Sequence, residues 1–274
     1  MPDWLKPVKH DNPDGTMALV DHLRELRYRV IWSFIAFAII FIAALIVEMK
    51  WHFFYELIIR PLLLAKTAYE ARTGLDVILA TENVMGGFTL SMKIAAIASL
   101  IITCPVWIWH IWAFVMPGLL ENEKKYSLRF MFTAIPLFLS GVAMGYFVMP
   151  KGFEVMMGFN PPDTTQINMM NDYLTFELQM LLIFGLSFLL PVVLVALNLV
   201  GVLRARTLSQ FRLPAIFGCF IFGAIATPST DPFSMLALSA PMAILYMVAE
   251  VITHAHDRRL RARGELIELD DEDD

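Results

Sequence analysis

The sequence is short of charge, of cysteine and of recognisable catalytic motifs. Lys, Arg, Asp and Glu make up 17% of the 274 residues, against 58% hydrophobic residues. Mean hydropathy is +0.62. A soluble domain of this length needs far more polar surface, so the composition points to a chain that crosses a membrane several times. Cys104 and Cys219 each sit alone in an apolar stretch, with no CxxC spacing and no histidine cluster nearby. Neither a disulfide framework nor a zinc site is expected. No P-loop, HExxH or GxSxG is present, and no paired carboxylates with a metal spacing lie inside an apolar stretch. The sequence therefore offers no enzyme's constellation and no need for a cofactor.

Acidity is confined to one end. The formal net charge is −5, yet seven of the 26 acids fall in the final "ELIELDDEDD", leaving 19 against 21 Lys and Arg. Residues 254–274 read as a solvated, disordered cytoplasmic tail. At the other end Pro2, Pro7 and Pro13 stand among mixed charges, and no small-residue cleavage site follows the first apolar stretch. Residues 1–15 therefore read as a retained cytoplasmic segment, not a signal peptide.

What the chain does contain is apolar runs. A spanning helix needs about 20 residues, and six candidates lie around 30–47, 94–116, 130–150, 178–202, 213–227 and 233–249. Residues 16–253 thus form one six-span membrane domain, with spans five and six short and joined only by "TPSTDP". Fifteen of the Lys and Arg residues fall on the side that holds the N-terminus and six on the other. That bias places both termini in the cytoplasm. Pro105, Pro136, Pro191, Pro214 and Pro241 fall one in each of spans two to six. Each removes a donor and bends its helix, which predicts a concave, all-α body. Two outer loops, 48–92 and 151–172, are long enough to form structure; the first contains Phe54, Leu57, Ile58 and Leu62 at helical spacing and is expected to lie along the outer membrane surface and cap the domain.

The segment "VDHLRELRYRV" runs into span one. Thr16 is a fair N-cap; Leu19, Leu23, Leu26 and Val30 form an apolar stripe, and His22, Glu25 and Arg29 line the opposite side. Glu25 and Arg29 are an i, i+4 pair in the favourable order. The pattern predicts an interfacial helix with its charged face toward the cytoplasm. Carboxylates are misplaced against anionic lipid, so Asp21 and Glu25 ask for a partner. His110, alone in span two, reads as a structural group. Glu177 and Glu250 lie near span ends, where carboxylates reach the interface.

These motifs carry a family resemblance. "HLRELRYRV", "CPVWIWHIWAFVMPGLLENEKK", "GYFVMP", "FGLSFLLPV" and "ATPSTDPFSM" occur in this order along nearly the whole chain, and in that order the chain resembles the TatC family, the core membrane subunit of the twin-arginine protein translocase. The resemblance implies a non-enzymatic receptor in the bacterial cytoplasmic membrane. It would bind Arg-Arg signal peptides of folded cargo, recruit TatA-type and TatB-type single-span subunits and further TatC copies, and use the proton motive force. By position it assigns signal binding to Glu25 and Glu123, with Glu121 a weaker candidate. It adds His22, Leu23, Arg27 and Phe114 to the recognition region, and Pro61, Pro105, Pro191 and Asp231 to structure or assembly; Asp231 is equally a turn residue accepting local backbone bonds. Two positions depart from the family pattern: Leu189 stands where many members have a span-four Glu, and Met247 where span six usually has one.

A secondary transporter of small solutes is the alternative. It would need a midplane site and often shows internal repeats, but spans one to three do not recur in spans four to six.

Overall fold

The computed structural model describes residues 19–80, 84–115, 124–159, 166–199, 201, 203–227 and 231–262. The first 15 residues, the acidic end of the tail and the loop bearing Glu121 and Glu123 lie outside the described residues. The chain divides into two compact units, Met1–Gly185 and Leu186–Asp274.

The first unit opens with α1, one uninterrupted helix over Leu19–Trp51. No Gly or Pro falls within it, so nothing separates an interfacial segment from a span. At ~1.5 Å per residue α1 is about 50 Å long, longer than a ~30 Å hydrocarbon core. The chain then turns at His52, in the left-handed region at φ 49°, into α2 (Phe53–Thr73). The buried carboxylate of Glu48 caps that helix: its Oε2 accepts from the backbone N–H of Phe54 at 3.0 Å and of Tyr55 at 3.2 Å.

The inward stripe of α2 is Ile58, Leu62, Ala65 and Tyr69, with Pro61 beside it. Leu57, expected on the apolar stripe, is exposed instead; its carbonyl accepts from the Tyr146 hydroxyl at 2.9 Å. Ile58 packs with Leu90, Ile94, Leu174 and Leu178 in one apolar cluster. Beyond α2, strand β1 (Val77–Ala80) pairs in parallel with β2 (Gln166–Met169), tying together the segments that follow α2 and α5.

The second apolar stretch is broken. Helices α3 (Gly86–Ile102) and α4 (Cys104–Val115) meet at a 56° bend just before Pro105. Pro105 lacks the N–H that would continue the ladder, and side chains serve nearby carbonyls: Thr103 Oγ1 donates to Ser99 O at 2.7 Å and Trp107 Nε1 to Leu100 O at 2.9 Å. Helix α5 (Lys124–Gly158) is continuous through Pro136 and Pro150. It meets α6 (Met170–Phe188) closely at Gly185, where an added Cβ would lie 2.8 Å from both Phe138 and Val142.

The second unit takes up the chain in the last turn of α6, which stops two residues before α7 (Leu190–Leu199) carries Pro191 in its first turn. It continues as α8 (Ala205–Gln210), α9 (Arg212–Ala226) and α10 (Pro232–Ala262). Gly223 lets α9 lie against α10; a Cβ there would meet Ser239 Oγ at 2.0 Å. Asp231 is the N-cap of α10, its Oδ2 accepting from Ser234 N–H at 2.6 Å with Pro232 at the first helical position.

Among the described residues, four helical stretches, 22–51, 132–158, 170–199 and 232–262, are long and apolar enough to cross a membrane, and the bent pair α3–α4 makes a fifth. The 15-residue α9 falls short of that length. Helix α10 has 31 residues and runs past the apolar stretch 233–249 to Ala262, because no Gly or Pro follows Pro241 until Gly264.

Candidate functional site

The N-terminal turns of α1 pack against α4, and the contact inverts the expected amphipathic reading. Leu23 and Val30 are 55% and 56% exposed, while Glu25 is 5% exposed. Glu25 is turned onto protein, and Leu23 and Val30 of the apolar stripe outward. His22, Glu25 and Arg29 lie on the protein-facing side because α4 packs there, while Arg24 and Arg27 are exposed on the outer side.

Four side chains converge there. His22 stacks on Phe114 of α4, with ring centroids 4.3 Å apart and planes 15° from parallel. One turn along, Arg29 Nε donates to Glu25 Oε1 at 2.9 Å, and Nη2 donates to the same oxygen. The i, i+4 pair is thus formed, but on one carboxylate oxygen. Oε2 is buried and has no hydrogen-bond partner among the described residues. Leu23 and Arg27 are exposed and point at least about 100° around α1 from His22, Glu25 and Arg29 at ~100° per residue. They are not brought to the Glu25 carboxylate. Glu121 and Glu123 lie outside the described residues.

Such a cluster is an acceptor site. A carboxylate with one oxygen engaged by an internal guanidinium and the other unpartnered can take a further N–H donor, and a planar guanidinium supplies two. The stacked His22–Phe114 pair offers an aromatic surface beside it, on which a guanidinium can also stack.

The remaining buried acids divide by partner. Glu250 is held: Arg212 donates to its Oε2 through Nε at 2.9 Å and to its Oε1 through Nη2 at 2.6 Å, and Ser209 Oγ donates to Oε1 at 2.8 Å. Glu177, expected near an interface, is instead fully buried, and neither oxygen has a hydrogen-bond partner among the described residues. Leu189 lies at the break between α6 and α7, half-buried. His110 is half-buried, with Nδ1 lacking a hydrogen-bond partner among the described residues. Pro61 is buried inside α2, Pro105 and Pro191 sit at the breaks between α3 and α4 and between α6 and α7, and Asp231 caps α10. No group of three or more His, Cys, Asp or Glu among the described residues could hold a metal ion.

Two partnered acids, the buried Glu48 and the half-buried Asp257, carried no warning in the sequence. Glu48 sits at the end of an apolar run, where a carboxylate reads as an interfacial residue. Asp257 lies in the charged segment assigned to the tail, yet its Oδ1 accepts from Asn198 Nδ2 at 2.9 Å and its Oδ2 from Ala205 N–H at 2.8 Å.

Comparison with known proteins supplies the family. The profile described as "Sec-independent protein translocase protein (TatC)" matches residues 21–241. A Sec-independent protein translocase protein TatC of Frankia casuarinae is 37% identical over 265 residues, covering 95% of this chain and 72% of the relative. One of Corynebacterium kroppenstedtii is 36% identical over 272 residues, and the match spans 90% of this chain and 64% of that longer relative. A crystal structure of the twin arginine translocase receptor TatC in DDM superposes with a TM-score of 0.72 at 29% identity, covering 85% of this chain and 99% of that one.

Proposed function

We propose, from the premise that the chain belongs to the TatC family of Sec-independent protein translocase proteins, that it is the receptor for twin-arginine signal peptides of folded cargo. In this reading the N-terminal end of α1, the end of α4 and the loop after it face the cytoplasm. The asymmetry of Lys and Arg supports that orientation, and with α9 as a fifth crossing and α10 as a sixth it brings both termini to the same side.

The observation that carries the proposal is the Glu25 carboxylate. It is buried, Arg29 engages Oε1 alone, Oε2 is left as an acceptor, and the His22–Phe114 stack lies beside it. A signal-peptide arginine donates to Oε2 while its neighbour is taken by Glu123, with Glu121 in reserve. Discrimination of Arg-Arg from Lys-Lys follows from geometry, because a guanidinium presents parallel N–H groups that an ammonium cannot copy. Leu23 and Arg27 extend the recognition surface around the outer side of α1. TatA-type and TatB-type subunits and further TatC copies then assemble on the loaded receptor, and the proton motive force drives transport. The solute-transporter alternative finds no support, since the matched family and the relatives above are protein translocase components.

Export of a folded reporter fused to a twin-arginine signal tests this reading. Glu123→Ala abolishes export and Glu25→Ala reduces it strongly, with membrane insertion intact. Normal export by the double variant contradicts the site assignment.

A further inference from the structure

The second unit carries a basic cleft that signal recognition does not use. A cavity of about 670 Å³ opens between the start of α8 and the C-terminal turns of α10, lined by Arg206, Ser209, His254, Asp257, Arg258 and Arg261. Three arginines thus face one acid. That acid, Asp257, is engaged by Asn198 and the Ala205 N–H. A second cavity of about 390 Å³ adjoins it and shares Ser209 and His254. Its walls include Met247 and Val251, both exposed apolar side chains, and Glu250 there is already paired to Arg212.

The depth of the cleft is fixed by the sequence. Apolar α9 begins at Arg212, and α10 is apolar up to Ile252 apart from Glu250 before its charged end begins. The arginines therefore stand where the hydrocarbon gives way to headgroups, the level at which basic pockets between helices hold lipid phosphates. The basic cavity adjoins a second one, in which Arg212 and Glu250 are paired to each other and the apolar wall, Met247 and Val251, lies about two to three turns of α10 before Arg258, on the hydrocarbon side. A free phosphate has no use for that second part; a phosphate bearing acyl chains fills both.

We propose that this paired cleft binds the headgroup of an anionic phospholipid, its phosphodiester held by Arg258 and Arg261 and one acyl chain lying along Met247 and Val251. Arginine forks suit phosphate oxygens, and the excess positive charge selects an anionic over a zwitterionic lipid.

The test is native mass spectrometry of the full-length protein, delipidated in neutral detergent and titrated with phosphatidylglycerol, phosphatidylcholine or inorganic phosphate. Wild type retains phosphatidylglycerol in preference to phosphatidylcholine and gains no adduct from millimolar phosphate. R258Q/R261Q, with unchanged helicity and elution, retains phosphatidylglycerol at least about tenfold more weakly. R258K/R261K recovers part of the loss, and K50Q/K66Q, which removes two charges elsewhere, retains the lipid as wild type does. Equal retention by R258Q/R261Q overturns the proposal. So does an equal loss in K50Q/K66Q, or phosphate binding that displaces the lipid.

Discussion

Replacing Glu25 by glutamine keeps the side chain's length and volume and leaves a carbonyl oxygen for Arg29, while withdrawing the negative charge. In the wild-type protein Arg29 engages only Oε1, which leaves Oε2 for the guanidinium of the proposed ligand. A charge-assisted hydrogen bond contributes about 1.5–3 kcal/mol, and each ~1.4 kcal/mol is a tenfold change in Kd. Glu25→Gln should therefore weaken binding of a twin-arginine signal peptide by about 10- to 100-fold. Where the amide nitrogen takes the place of Oε2, donor faces donor and the loss moves to the upper end. The assay is fluorescence anisotropy of a labelled signal peptide titrated with full-length protein in detergent, run in parallel with a Lys-Lys peptide. Wild type prefers Arg-Arg, and the variant loses most of that preference. Affinity within twofold of wild type, with unchanged circular dichroism, would refute the reasoning.

Three further predictions concern the scaffold. Arg212→Gln leaves the carboxylate of Glu250 with Ser209 as its remaining side-chain donor and should lower the Tm of the second unit; Arg212→Gln/Glu250→Gln should recover part of it, read by thermal unfolding. Gly223→Val places a branched side chain where even a Cβ meets Ser239 Oγ at 2.0 Å, so overpacking should cost about 1–3 kcal/mol, visible as a lowered Tm and faster proteolysis of the α9–α10 hairpin. Glu48→Ala removes the cap of α2 at a cost of about 1 kcal/mol, and hydrogen exchange at the Phe54 and Tyr55 amides should accelerate by about fivefold.

The features legible in the sequence were those decided by local chemistry. Asp231, followed by a proline and aimed at the N–H three residues on, needed only its own turn to become a cap. The Glu25–Arg29 pair followed from helical spacing, and the break at Pro105 from the missing donor. Other features depend on what a residue meets far along the chain. Periodicity found the two faces of α1 but could not say which was covered, because that depends on α4, and Phe114 stacks on His22 only once the two helices are packed. The parallel pairing of Val77 with Gln166 joins loops that carry no strand pattern of their own. Asp257 read as part of a solvated tail because its partners, Asn198 and Ala205, lie on elements more than fifty residues earlier.

The proposed receptor function rests on two carboxylates, Glu25 and Glu123, accepting two arginines. Site-specific photocrosslinking from positions 25 and 123 to a signal peptide tests that claim most directly. Crosslinks are expected from both positions to an Arg-Arg peptide, reduced strongly when the pair is replaced by Lys-Lys. Absence of crosslinks from both positions, or equal yields with the two peptides, would contradict it.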